Sequence, residues 1–360
     1  MHKKTYEIMH KDHKTASISE TGHCIIYDKA FLPYNLYLEE AEDIDTLVNN
    51  ITNFNYWCAS RVLTLDRTYA KEILNSIGVR QAVTDRDRAK IALSYRCVSL
   101  TDVFWVKIAE EEICFRDINL YENHLDNTFM DISLRGRQYS VQNDCLARDL
   151  STNGCFPKAW QRAGNAFWLL KDGGRESVER ELLASQICRC FDAEQVLYEA
   201  DFFDGEKVSV SKNMTSLDNS IVSMEAFEIY AQNHDIKTQD YILHLDAHNY
   251  YMMNILDYLV GNTDRHWGNW GVLVNNATNK PMRLHKLMDF NQAFHEYDQL
   301  DGANCQTLFG EHLTQRDAAV LAVQQIGLNQ LRALDEASFA TLPQYYPMFL
   351  QRLSLLKSIP

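Results

Sequence analysis

Gly261-Asn262-Thr263-Asp264-Arg265-His266-Trp267-Gly268-Asn269-Trp270-Gly271, followed by Leu287-Met288-Asp289-Phe290-Asn291, is the pair of segments on which the reading of this chain turns. The first sets an Asp and an Asn five positions apart in a glycine-bounded loop; the second ends an apolar run on another Asp. Such groups are hard oxygen donors, suited to taking a proton from a hydroxyl and to holding a small divalent cation. Upstream, residues 248–260 carry apolar side chains at 252, 255, 256, 259 and 260, which predicts a buried helix leading into the loop. Downstream, Val272-Leu273-Val274 and residues 284–288 read as two strands joined by the polar turn 275–280.

Phosphoryl transfer from ATP is the chemistry this set fits, because it needs positioning and positive charge at the phosphates more than covalent help. Protein kinases space an Asp and an Asn with four residues between them and add a later Asp-Phe-Gly. On that pattern Asp264 is the base or hydroxyl-orienting group, and Asn269 and Asp289 are the magnesium ligands; the three form the predicted catalytic set. The bland alternative makes Asp-Arg-His a helix-ending turn with His266 structural. The helix before, the strand after and the second Asp favour the functional reading, and His266 is placed with the cofactor-binding residues.

Further upstream, Ala166-Phe167-Trp168-Leu169-Leu170-Lys171 reads as a buried strand ending in a lone Lys. Asp172-Gly173-Gly174 breaks it, and 176–191 reads as a helix with Val178, Leu182, Leu183, Ile187, Cys190 and Phe191 on one face. Lys171 is placed to neutralise ATP phosphates, unless it is an ordinary surface Lys. Glu181 lies ten residues on and is its predicted ion-pair partner, with Glu176 and Glu179 as rivals. Ser151-Thr152-Asn153-Gly154 is a turn whose N–H groups can cradle phosphates, although Asn-Gly turns are common; Lys158 is either a second phosphate contact or simply exposed. Asp204-Gly205 between 196–203 and 206–211 signals a hairpin. Residues 211–214 would then meet adenine, and helices are expected at 315–326 and 345–358.

The whole-chain properties bound the partners. Among 360 residues, 46% are hydrophobic, with 14 Gly and 6 Pro, so two or three domains with real cores are expected and long disordered stretches are not. A net charge of -14 argues against direct nucleic-acid binding. Nine scattered Cys without a Cys-x-x-Cys pair fit free thiols; Cys188 and Cys190, some 200° apart on a helix, read as one core and one surface residue. No signal-peptide core follows Met1, and the segment 250–260 is interrupted by Asn254 and Asp257, so a soluble cytoplasmic protein without membrane attachment is expected. His244 and His248 have helical zinc spacing, but Leu245 stands where a zinc protease has Glu, so a helix start with Asp246 at its positive end is preferred. Trp267, Trp270, Tyr250 and Tyr251 read as packing.

Taken together, these segments resemble the HipA-like serine/threonine kinases, related to the phosphoinositide 3-kinase catalytic fold. The segment 261–269 resembles the catalytic loop of both groups, Leu287-Met288-Asp289-Phe290 their metal-binding segment, and Ser151-x-x-Gly154-x-x-x-Lys158 the phosphate loop of HipA-like kinases. The resemblance is specific in the catalytic loop, runs over about 146–300, and implies ATP and Mg2+ as cofactors and a protein substrate. It further implies that Ser151 can be autophosphorylated, silencing the enzyme, and that an antitoxin-like regulator is a partner in a toxin-like role. Asn291 departs from the family's Gly, and its tolerance of left-handed backbone would preserve the turn. The expected architecture is α+β: an N-terminal α+β region (1–145), a mixed α/β N-lobe (146–225) and a mostly helical C-lobe (226–360) of a two-lobed protein-kinase-like fold. A lipid or small-molecule kinase on the same fold, and a nucleotide-binding pseudokinase acting as an interaction module, are the other readings. No basic or amphipathic segment supports the lipid reading, and the intact Asp264/Asn269/Asp289 set argues against a pseudokinase.

Overall fold

Alternating side chains in the first residues produce an antiparallel meander in the computed structural model, which describes residues 4–62, 84–123, 157–164, 166–308 and 312–360. The stretch 68–77, which reads as helical in the sequence, and the turn 151–154 lie outside those residues. Strands β1 (Thr5–His10) and β2 (His13–Ser19) pair with His10 opposite His13, so Lys11 and Asp12 alone make the turn, with Lys11 at φ 52°. With β3 (Cys24–Ile26) and β4 (Phe104–Ile108) they form a sheet of order β3-β2-β1-β4. The apolar runs 24–27 and 103–108 read as strands in the sequence, and both strands are present, each one residue shorter. Helices α1 (Ile44–Ala59) and α2 (Asp85–Ser94) start at Asp43 and Thr84, whose side chains accept from the N–H of Thr46 and Asp87; each such cap contributes about 1 kcal/mol. A single turn, α3 (Phe115–Ile118), follows β4. Ile8, Ala16, Trp57, Cys58, Val103 and Trp105 are buried together as the core of this region. Arg61 closes it with a two-pronged pair to Asp102, both bonds 2.8 Å.

The chain divides into two compact units: Met1–Leu169, Thr215–Val222 and Val274–Lys280 form the first, and Leu170–Met214, Ser223–Leu273 and Pro281–Pro360 the second. Strand β5 (Lys158–Ala163) belongs to the first unit, and the division falls within β6 (Ala166–Lys171), leaving Leu170 and Lys171 in the second. There the chain continues through α4 (Arg175–Cys188) and the hairpin of β7 (Tyr198–Phe203) with β8 (Glu206–Lys212). Asp204 and Gly205, at φ 50° and 80°, make its two-residue turn, as the Asp-Gly signal requires. The sequence extended α4 to Phe191; it stops at Cys188, so Cys190 lies in the following turn and is buried, not on the surface.

Strand β9 (Asn219–Ser223) precedes α5 (Met224–Gln232) and α6 (Thr238–Val260), and β10 (Gly271–Asn275) and β11 (Lys280–Leu284) follow the 261–271 loop. Helices α7 (Gln315–Ile326) and α8 (Tyr346–Lys357) end the chain close to their expected bounds. From Met252 to Val260 nearly every α6 side chain is buried, and burial of residues such as Ile255 and Leu256 stabilises by roughly 2 kcal/mol each. At Asp246 (φ -162°, ψ 66°) α6 breaks, and the Asp246 carboxylate accepts from the Asn249 N–H: it is the N-cap of a new helical start, as the sequence indicated. His248 is turned to the Asp192 carbonyl, Nε2 at 2.8 Å. The strand expected at 284–288 is instead β11. The chain reverses within the expected turn, where the Asn275 carbonyl takes the Asn279 N–H and Asn279 adopts φ 52°, and the strand begins directly after it, four residues earlier than read. No helix of the described residues is long and apolar enough to cross a membrane.

His285, past β11, is buried with Nδ1 2.8 Å from the Lys286 carbonyl, and burial pulls its imidazole down to about 4. The unfolded chain therefore takes up a proton near pH 6.5 that the folded one refuses until about pH 4, so its contribution is present above pH 6.5 and is lost as pH falls through that window. Between pH 7 and pH 5 this group is expected to cost about 2 kcal/mol of stability. Urea unfolding at the two pH values should show a smaller loss for His285→Asn than for the parent; equal losses would contradict the assignment.

Candidate active site

The second unit gathers the chemistry around Lys171, the last residue of β6. Its Nζ donates to Glu181 Oε1 at 2.8 Å and to Asp289 Oδ1 at 2.9 Å, and stands 5.0 Å over the Tyr198 ring. Lys171 is 6% exposed and Glu181 1%, so neither charge is shared with bulk water. Burial alone would lower the Lys171 ammonium; the Asp289 and Glu181 carboxylates outweigh it and hold the group well above its ordinary range. Glu181 reaches the Lys because α4 turns it inward one helical face away from its rivals: Glu176 pairs with Arg180 at 2.5 Å, and Glu179 with Lys207 at 2.6 Å. The second Glu181 oxygen accepts from Ser209 Oγ of β8.

Tyr198 joins the two halves of this cluster. Its hydroxyl oxygen accepts the Asp289 N–H at 3.0 Å and lies 3.5 Å from Lys171 Nζ, while burial pushes its phenol up and keeps it protonated. Asp289 sits at φ 61°, left-handed backbone that Asp tolerates better than most residues. The turn's left-handed residue is therefore Asp289 and not Asn291, which is buried with no partner for its Oδ1 among the described residues. Tyr198→Phe would strand the Asp289 N–H and is expected to cost about 1–3 kcal/mol of unfolding free energy. A melt unchanged from the parent would show that the bond contributes nothing.

The loop after α6 begins at Gly261, φ 59°, where an added Cβ would come within 2.4 Å of the Tyr297 ring; only glycine fits there. Asp264 is half-buried. Burial raises its carboxyl, the His266 ring pulls it down, and the Asp289 carboxylate pushes it up, so the two Asp side chains sense one another. Asn269 Nδ2 donates to the Asp264 carbonyl at 2.8 Å and reaches its carboxylate at 3.4 Å, which leaves Oδ1 without a partner among the described residues. His266 folds back on its own loop, accepting the Gly268 N–H on Nδ1 at 3.0 Å, with Nε2 3.8 Å from Asp264.

Arg265 was not singled out by sequence reasoning, yet it organises the loop. It is 2% exposed, grips Asp257 of α6 with two bonds of 2.8 and 3.0 Å, and donates to the carbonyls of Asn269 (2.9 Å) and Met288 (2.6 Å). One side chain thus fixes the helix end, the 264–269 loop and the segment entering Asp289. Asn262 adds a third bond to Asp257 at 3.1 Å, and Trp270 is buried against Tyr250, ring centroids 5.7 Å apart. Of the remaining predicted residues, Lys158 opens β5 in the first unit and is buried, whereas Ser151 and Gly154 lie outside the described residues.

No family model and no curated protein matches this sequence. Among solved structures, the Helicobacter pylori proinflammatory kinase CtkA is similar over 56% of this chain and 89% of its own, at 14% identity and TM-score 0.43. HipA of Shewanella oneidensis MR-1, solved with HipB and its operator DNA, matches 98% of this chain and 99% of its own, at 11% identity and TM-score 0.60. With its mixed sheets and helices aligned over almost the whole length, this chain has a HipA-like fold.

Proposed function

We propose that this protein is an ATP- and magnesium-dependent serine/threonine protein kinase of HipA-like type, transferring the γ-phosphoryl group to a protein hydroxyl. The observation that carries the reading is the buried junction of Lys171, Glu181 and Asp289, with Asp264 close enough for its ionisation to feel Asp289. The donor set fits magnesium: an Asn269 amide oxygen with no partner among the described residues and two mutually repelling carboxylates are what a small hard cation relieves. Asn269 and Asp289 would hold the ion, which when bound supplies charge neutralisation at the phosphates. Lys171, kept charged and aimed by Glu181, would bind phosphate oxygens. Asp264 would accept the proton of the attacking hydroxyl, and its raised carboxyl pKa makes it a better base for that step. His266 would steady the nucleotide side of the loop, and the 151–158 segment, with Ser151, Gly154 and Lys158, would cover the phosphates.

The same reading makes Ser151 a site of self-phosphorylation that silences the enzyme, and gives the protein a toxin-like role under a small antitoxin-like partner; the HipA neighbour was solved with HipB and its operator DNA. The net charge of -14 favours protein over nucleic acid as the direct contact of this chain, and the expected compartment is the cytoplasm. The test is transfer of labelled phosphate from ATP to the protein itself or to lysate protein, with Asp264→Ala as control. Transfer lost in the variant, and mass-spectrometric phosphate on Ser151 in the parent, are the expected results. Transfer equal in parent and variant would sink the kinase reading, and an active enzyme with Ser151 unmodified would remove self-silencing.

A further inference from the structure

The first unit contains a cavity of about 320 Å3, at the small end of the range for ligand pockets, and the site described above does not use it. In a chain of net charge -14, its lining carries Lys4, Lys90, Arg96 and Lys107 against a single carboxylate, Glu111. Cationic groups on low-dielectric walls concentrate their field on whatever anion enters. These charges are only partly consumed within the fold. Lys90 is 3.7 Å from Asp87, a loose and exposed pair, and Lys4 Nζ has no partner among the described residues. Lys107 is 3.2 Å from Glu7, whose other oxygen already serves Lys14.

Arg96 is held in place from both ends. Its backbone is left-handed (φ 61°), uncommon for a long side chain, and is pinned where its carbonyl accepts the Val106 N–H at 2.8 Å. Its guanidinium faces Glu111, with bonds of 2.6 and 3.4 Å. A guanidinium fork set on a carboxylate is equally a seat for phosphate oxygens. Around the charges, Tyr6, Leu93, Val106 and Ile108 give the cavity an apolar wall.

We propose that this cavity binds a small organic phosphate monoester, its dianionic head on Lys4, Lys90 and Arg96 and its apolar body against Tyr6, Leu93, Val106 and Ile108. Four cations against Glu111, Asp87 and Glu7 leave one positive charge in excess, and the three terminal oxygens of a phosphate can be shared among Lys4, Lys90 and Arg96 where the two of a carboxylate cannot; the apolar wall suits an esterified phosphate better than inorganic phosphate. The proposal does not depend on the kinase reading.

Calorimetric titration of phenyl phosphate into the full chain tests it, with benzoate and inorganic phosphate as comparison probes. Saturable binding of phenyl phosphate is expected, weakened about tenfold or more by Lys4→Glu and by Arg96→Gln and unchanged by Lys171→Met. Lys4 has an exposed side chain ahead of β1, so Lys4→Glu keeps the test decisive if Arg96→Gln fails to fold. The proposal is overturned if binding is absent, is equal in the parent and Lys4→Glu, or is lost in Lys171→Met while persisting in Lys4→Glu. Benzoate or inorganic phosphate binding as tightly as phenyl phosphate would overturn the ligand class.

Discussion

Asp289→Ala is expected to lower phosphoryl transfer by on the order of 10³-fold and to weaken Mg-ATP binding, because it removes a proposed metal ligand and one of the two carboxylates holding Lys171. Part of any change in stability has another source: alanine at φ 61° is strained by roughly 1–2 kcal/mol, where Asp is tolerated. Asp289→Asn separates the two effects, since Asn also accepts left-handed backbone but carries no charge. Transfer should fall as far in Asp289→Asn as in Asp289→Ala, while the melting temperature falls less. Parent-like transfer in Asp289→Asn would mean that the charge plays no part in catalysis.

The largest structural effect is expected at Arg265. Arg265→Ala leaves the Asp257 carboxylate buried without its partner and takes the donors from the Asn269 and Met288 carbonyls. Breaking a buried pair from one side costs about 3–5 kcal/mol. Arg265→Lys should rescue little, because one ammonium cannot reproduce a planar fork spread over four acceptors. Urea denaturation would measure both, and a loss under about 1 kcal/mol for Arg265→Ala would show that the clamp is dispensable. Any surviving folded Arg265→Ala protein should be a poor catalyst, since the Asp264 and Asp289 segments lose their common tie.

The legible parts of the chain were those governed by short-range rules. Helical spacing predicted the buried end of α6, Asp-Gly placed the β7–β8 turn, and a strand-end Lys followed by a helix pointed to Glu181, whose carboxylate meets Lys171. Tyr198 and Ser209 were not legible, because their reach to Asp289 and Glu181 depends on hairpin placement and on partners 91 and 28 residues away. Arg265 left a trace that could have been followed. Asp257 interrupts an otherwise apolar helix face, and a carboxylate there must find a cation; Arg265, eight residues on, was the nearest candidate. The strand misplaced to 284–288 shows the opposite failure: the turn at 275–280 was read, but the apolar run drew the strand away from the polar residues 280–283 that directly follow that turn.

The way the chain crosses between its two units bears on how the protein can be cut and how it is made. Residues 215–222 and 274–280 belong to the first unit although they are synthesised long after Leu169, and the second unit is assembled from three separate stretches. A truncation ending at Leu169 would lack two pieces of the first unit, and one starting at Leu170 would keep β9, β10 and β11, which pair with one another, without the rest of that unit. During translation the first unit is incomplete until residue 280 has left the ribosome, by which time the whole loop bearing Asp264 and Asn269 is already made. Maturation of the two units is thereby tied together, and neither is available to be shed or exchanged as a single contiguous module.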